Sequence, residues 1–357
     1  MNASVPPSLS ASARVELARR LAGFDILEFG EVLEHEHAGI RHRLLRHKLR
    51  LAGHQPLAVR RLARLEGPTR GSLVLVHGLA QNRRTWRVRG RSLEAALAAR
   101  GYEVFNLELR GHGHSGRLGS RPAGGLRDYV EDIRRMSDAL LEPAVYLGHS
   151  LGAGVLVRAA ARGVEMAGLV HIAGVYTFGL ESRLLQTAAR LTQTLPFRRV
   201  PARLGVWTRP AGQMIASYPR LSELVNARVP FSGWAPGSME PEVLAERFGG
   251  GFDKVGFGVW RDMADLPLGG ELDPDGAFAS WDRPLLVLAG QADGLAVPND
   301  AIACHRDSRS RDKSLVIFDE ARHGYAPGHV DIILGRRAPE VVWPVLFDWL
   351  SETKRWR

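Results

Sequence analysis

The chain has almost no cysteine and little lysine. Its one cysteine, Cys304, excludes an internal disulfide and leaves the redox compartment open. Lysine occurs only at Lys48, Lys254, Lys313 and Lys354, so the formal charge of +10 is carried mostly by arginine. Aromatic residues are also sparse, at 7%. A nucleic-acid reader gathers its cations beside aromatic or groove-reading elements. Here the arginines are scattered, with one denser region over residues 41–64, so no nucleic-acid partner is expected. Weak attraction to an anionic membrane surface is the partner expectation that the charge leaves open. No apolar run approaches the ~18 residues of a membrane-spanning helix. The first 23 residues lack the basic start and apolar stretch of a secretory signal, so a cytoplasmic location is expected. The histidines His112, His114 and His149 have no paired metal-ligand spacing, so neither metal nor cofactor is expected.

What is present is a chain of 357 residues, 45% hydrophobic, ample for a large core. One stretch organises it. The apolar run Val145-Tyr146-Leu147 ends in Gly148-His149-Ser150-Leu151-Gly152, and a helical Ala/Val/Leu pattern follows to about residue 161. This is a G-x-S-x-G turn between a strand and a helix, the context in which such a serine becomes an exposed nucleophile. The helix that begins there aims free N–H groups at negative charge formed above the serine.

Upstream, residues 1–38 are expected to form a peripheral arm, with an amphipathic helix over 13–21 and an acidic patch at Glu31, Glu34 and Glu36. Residues 42–65 alternate apolar and basic positions around a turn, the pattern of an exposed antiparallel edge pair. Ser72-Leu73-Val74-Leu75-Val76 and the run 102–107 read as strands buried on both faces, separated by a helix over 92–100. A helix over 126–141 precedes the serine strand, and another strand over 168–173 follows. Alternating strands and helices predict an α/β fold, a doubly wound and mostly parallel sheet. The rhythm stops over residues 175–281, which hold helical fragments at 183–195, 217–226 and 241–248. It resumes with strands at 283–290 and 314–318 and a last helix over 338–349. A structureless loop of that length does not suit a compact domain, so 175–281 is read as an inserted helical cap. The expected division is therefore arm 1–38, core 39–174, cap 175–281 and core 282–357.

A serine hydroxyl needs a base to take its proton and a third group to orient that base. In a doubly wound sheet these groups belong in loops at the carboxyl ends of strands. Asp293, just past the strand at 283–290, is the natural acid, with Asp300 and Asp307 as weaker alternates. The loop after the last strand offers two bases, His323 and His329.

The joint order His77-Gly78, Arg110-Gly111-His112-Gly113-x-Ser115, Gly148-His149-Ser150-Leu151-Gly152, Gly290-x-x-Asp293 and Gly328-His329 resembles the α/β-hydrolase superfamily over roughly residues 57–350. Within it, His77-Gly78-Leu79 with Asn82 and Trp86, and His329-Val330-Asp331 leading to Gly335 and Pro339, are similar to acid lipases and to relatives of polyhydroxyalkanoate synthases. Those polymerases use cysteine, so Ser150 points to hydrolysis. Glu108 stands where the superfamily commonly has aspartate. The resemblance implies His329 as base, because the superfamily places it in a Gly-His pair shortly before a proline and the final helix. His323 is the alternate. It implies an oxyanion hole from the backbone N–H groups of Leu79 and Leu151. His77 is then a support for its own loop. The implied activity is a serine esterase of lipase-like character acting on an apolar ester, with a serine-dependent acyltransferase as the alternative and a non-catalytic binding protein as a weaker one. Epoxide hydrolases and haloalkane dehalogenases of this fold carry aspartate at the elbow, which Ser150 excludes. Trp207, Trp234, Trp260, Phe231, Phe252 and Phe257 either line the substrate pocket or pack the cap on the core.

Overall fold

The computed structural model describes residues 11–37, 39–180, 183–228 and 233–352. Its strands are β1 (Asp25–His37), β2 (Ile40–Leu51), β3 (Leu57–Arg64), β4 (Ser72–Val76), β5 (Glu103–Glu108), β6 (Val145–His149), β7 (Gly168–Ile172), β8 (Gly205–Trp207), β9 (Lys254–Gly256), β10 (Leu285–Gly290) and β11 (Lys313–Phe318). Among the described residues, nine of them form one sheet in the order β1-β2-β3-β5-β4-β6-β7-β10-β11. The first three are antiparallel, and from β5 to β11 every neighbouring pair is parallel. The chain leaves β4 for β5 on one side and then crosses to β6 on the other. That reversal opens a crevice at the carboxyl ends of β4 and β6, where sheets of this kind bind ligands.

The parallel strands read as unbroken apolar runs because both of their faces are covered. Val74, Val76, Phe105, Leu107 and Tyr146 enter the core on one side, and Leu73, Leu75, Val104, Val145 and Leu147 enter the other. Fully burying each such side chain stabilises by about 1.5–3 kcal/mol. The covering helices are α1 (Ala11–Arg20), α2 (Leu93–Ala99), α3 (Leu126–Ala139) and α4 (Leu151–Ala161) before the cap. In α3 the buried residues Leu126, Tyr129, Val130 and Ile133 recur at the spacing of one helical face.

The N-terminal third corrects two expectations. Residues 25–37 are no peripheral arm: they form β1, the true edge of the sheet. The stretches at 42–65 are accordingly interior strands rather than an edge pair. The acidic residues of β1 face the basic residues of β2. Asp25 pairs with Arg50 at 2.8 Å, Glu28 with Arg46 at 3.1 Å and with Lys48, and Glu31 with Arg46. Arg60 and Arg61 of β3 are buried against Glu94 at 2.9 Å and Glu103 at 2.5 Å. The dense arginine region is thus matched by carboxylates, a match that depends on strand register and is invisible to a local reading.

Between β7 and β10 lie α5 (Arg183–Thr192), α6 (Arg209–Ser217), α7 (Pro219–Asn226), α8 (Pro241–Gly249) and α9 (Phe257–Asp265), with β8 and β9 as a small antiparallel pair. The core then closes with α10 (Pro298–Asp307) and α11 (Ala338–Ser351). Among the described residues, no helix is long and apolar enough to cross a membrane.

Candidate active site

Ser150 sits between β6 and α4 with φ +56° and ψ −127°, a conformation that a non-glycine residue adopts only when its surroundings enforce it. The flanking glycines are part of that enforcement. A Cβ on Gly148 would stand 2.5 Å from the Ala153 backbone nitrogen, and one on Gly152 would stand 2.4 Å from the His77 carbonyl oxygen. Helix α4 therefore packs against the end of β4 with nothing but hydrogen between the backbones.

Three loops converge on this turn. Asp293 follows β10, and its Oδ1 accepts from the backbone N–H groups of Leu295 at 2.8 Å and Ala296 at 3.0 Å. Its Oδ2 lies 2.9 Å from His329 Nδ1, and His329 Nε2 lies 2.8 Å from Ser150 Oγ. A carboxylate only accepts, so Nδ1 carries the proton and Nε2 is left free to accept from the serine hydroxyl. All three side chains are buried. The loops that carry Asp293 and His329 are pressed together at Gly290, where a Cβ would meet the Pro327 carbonyl oxygen at 1.9 Å.

His323 is not brought to the serine. It ends the short helix Glu320–His323, accepts from the Asp319 backbone N–H at 3.2 Å and packs on Phe318. Asp300 and Asp307 are also elsewhere, accepting from Thr177 at 2.8 Å and Tyr176 at 3.0 Å. Leu79 and Leu151 lie on the wall of the cavity that Ser150 and His329 line. Leu151 opens α4, and the first N–H groups of a helix have no intrahelical acceptor. His77 Nδ1–H donates to the Gly78 carbonyl at 3.0 Å, and its Nε2 accepts from the Leu109 N–H at 3.1 Å. Burial lowers its pKa to about 4, so the ring is a neutral tie between two loops. Glu108 accepts from the His114 N–H at 2.9 Å and braces the turn that carries it.

The cavity holds about 830 Å³. Its lining includes the buried Val175, Phe248 and Met263 and the exposed Met214, Tyr218, Leu221 and Val225. No Asp, Glu, Lys or Arg is among its described lining residues. Of the cap aromatics, Trp234, Trp260 and Phe252 line it. Trp207 is exposed beneath the Lys254 ammonium, Phe257 stacks on Phe197, and Phe231 lies outside the described residues. The sequence reading missed Gln81 on the cavity wall and the fully buried Arg247 of α8, whose Nη2 donates to Gln81 Oε1 at 2.7 Å. No local pattern announces that contact, because arginine in an amphipathic helix normally reads as a solvated position.

Residues 73–331 match the alpha/beta hydrolase family, and the chain belongs to it. The fold is correspondingly similar to that of a monoacylglycerol lipase from Paleococcus ferrophilus (TM-score 0.58, 18% identity, 83% of this chain and 98% of that one). It is also similar to a soluble variant of monoglyceride lipase from Saccharomyces cerevisiae (TM-score 0.57, 16% identity, 91% and 97%). A pimeloyl-[acyl-carrier protein] methyl ester esterase from Aliivibrio fischeri is 30% identical over 110 residues, 30% of this chain. That match spans 38% of the esterase's own length.

Proposed function

We propose that the protein hydrolyses carboxylic esters with an apolar acyl or alcohol part through an acyl-enzyme. The observation that carries this reading is the line Ser150 Oγ, His329 Nε2, His329 Nδ1 and Asp293 Oδ2, at 2.8 and 2.9 Å, on the wall of an uncharged cavity. Ser150 Oγ attacks the ester carbonyl carbon as His329 Nε2 takes its proton. Asp293 stabilises the imidazolium through Nδ1–H without itself becoming protonated. The tetrahedral oxyanion accepts from the N–H groups of Leu79 and Leu151, each such donor typically worth about 2.7–4 kcal/mol. Collapse expels the alcohol, protonated by His329. Water, deprotonated by the same imidazole, then attacks the acyl-serine and releases the acid. An apolar substrate suits a cavity where a buried charge on the ligand would find no counter-ion. The similarity to lipases and to an esterase supports the same class.

A fluorophosphonate probe followed by peptide mapping tests the chemistry, and a series of p-nitrophenyl esters of increasing chain length tests the substrate class. Labelling at Ser150, lost in Ser150→Ala together with turnover, is the expected result. Undiminished turnover by Ser150→Ala rules the mechanism out.

A further inference from the structure

Arg247 is a cation buried without an anion. It projects from cap helix α8, is 1% exposed, and among the described residues has no carboxylate within ion-pair distance. Among the described residues its Nε has no hydrogen-bond partner. Burial, with Arg84 nearby, lowers its pKa to about 9. A charge held this way works against folding unless something else retains it. What it touches is informative. Its Nη2 donates to Gln81 Oε1 at 2.7 Å and to Thr85 Oγ1 at 3.2 Å, while Thr85 Oγ1 itself donates to Gln81 Oε1 at 2.9 Å.

Gln81 stands two residues after Leu79, in the loop that carries one of the two oxyanion donors. Its backbone N–H closes that loop on the Gly78 carbonyl at 3.2 Å. The point that a Cβ of Gly78 would occupy is 2.9 Å from Ser150 Cβ and 3.3 Å from Gln81 Oε1. Nucleophile, loop and carboxamide are therefore in successive van der Waals contact. The guanidinium donates to the same carboxamide oxygen that approaches Gly78.

Resting on the acyl-enzyme reading above, we propose that Arg247 is a positioning residue for the oxyanion site. Its guanidinium fixes the Gln81 carboxamide, and through it the loop bearing the Leu79 N–H. It also sets a positive charge behind the place where the substrate oxygen becomes negative. The cap thereby contributes to the chemistry as well as to the shape of the pocket. A preorganised charge in a dry site stabilises developing charge without reorganising during the reaction, which accounts for the missing counter-anion: a carboxylate beside Arg247 would cancel the field.

The test uses the full chain and two substitutions, Arg247→Met and Gln81→Glu, alone and with Gln81→Met for a double-mutant cycle. The readouts are the rate of Ser150 phosphonylation by a fluorophosphonate, kcat and KM on a p-nitrophenyl ester, and thermal stability. Arg247→Met is expected to slow phosphonylation and kcat by about tenfold or more with little change in KM. Its effect should shrink in a Gln81→Met background, because the part carried through the carboxamide is already lost while the part due to the charge remains. Gln81→Glu supplies the absent anion, so it should raise the melting temperature while lowering kcat. A purely structural arginine would instead let activity follow stability. Folded variants that phosphonylate at the wild-type rate overturn the proposal, and Gln81→Glu alone decides if Arg247→Met does not fold. Wild-type protein unlabelled at Ser150 would instead overturn the acyl-enzyme reading, and this inference with it.

Discussion

His149 Nε2–H donates to the backbone carbonyl of His329 at 2.8 Å, so the residue before Ser150 holds the loop that carries the His329 imidazole. The two rings are 4.9 Å apart, and burial followed by the neighbouring His329 keeps His149 well below its ordinary pKa and therefore neutral. Replacing His149 by Ala removes the tie and leaves a buried carbonyl unpaired, at a cost of about 1–3 kcal/mol. Beyond the stability loss, kcat should fall about tenfold, since misplacing a base by a fraction of an ångström weakens proton transfer. Unchanged kcat in the folded variant would show that the His329 loop needs no such support.

Asp293→Asn tests the orienting role of the carboxylate. An amide can donate to His329 Nδ1 and so favours the tautomer with its proton on Nε2, where it cannot accept from Ser150. The expected loss in kcat is on the order of 10⁴-fold with the fold intact. Steady-state turnover of a p-nitrophenyl ester measures it, and a loss of less than about tenfold would remove Asp293 from the mechanism.

Gly152→Ala should damage the elbow itself. The added methyl would meet the carbonyl oxygens of His77 at 2.4 Å and Val76 at 2.6 Å, both backbone atoms at the buried end of β4. Overpacking of this kind costs about 1–3 kcal/mol. Denaturant unfolding reads the cost directly; stability equal to the wild type would mean that α4 can retreat from the sheet.

The buried histidines predict an acid limit. Burial lowers His47 to about 3 and His77 and His171 to about 4, and places His112 and His149 well below the ordinary value of 6.5. In the unfolded chain these rings bind protons near pH 6.5, whereas in the folded protein they do not. The unfolded state therefore holds more protons as pH falls, and stability drops from about pH 6.5 toward pH 4. Their contribution is complete above pH 6.5. Unfolding free energies at pH 7.5, 6 and 5 should decline in that order, and a flat profile would contradict the neutral assignment.

The buried part of the cavity wall bears on chain length. Met263 lines it and is 6% exposed, whereas Met214 and Tyr218 of the same wall are exposed. Met263→Trp should shorten the accepted chain. The change is expected to lower kcat/KM about tenfold for the longest ester processed and little for the shortest, since each methylene contributes about 1–3 kcal/mol in such pockets. A uniform loss across the series would place the acyl chain elsewhere.

Much of the fold lay open in the linear pattern. Leu73, Val74, Leu75 and Val76 announce a strand covered on both sides, and Gly148-His149-Ser150-Leu151-Gly152 names the turn that interrupts strand and helix. Each is a local rule, satisfied within a few residues by sterics and by burial of alternating side chains. Three of the cap's helices were legible for the same reason, whereas α6 and α9 were not assigned. Its small strand pair was not, since Gly205–Trp207 and Lys254–Gly256 meet across almost fifty intervening residues.

The amino-acid order by itself determined where the buried parallel strands, the helices between them and the elbow turn fall, because periodicity and backbone sterics act between near neighbours. Only the tertiary structure decided which histidine meets Ser150, that Glu28 and Glu31 answer Arg46 of the next strand, and that Arg247, with no carboxylate partner among the described residues, donates to Gln81. Those relationships join residues distant in the chain. They depend on strand register and on the seating of the cap, which the whole core fixes together and no single stretch encodes.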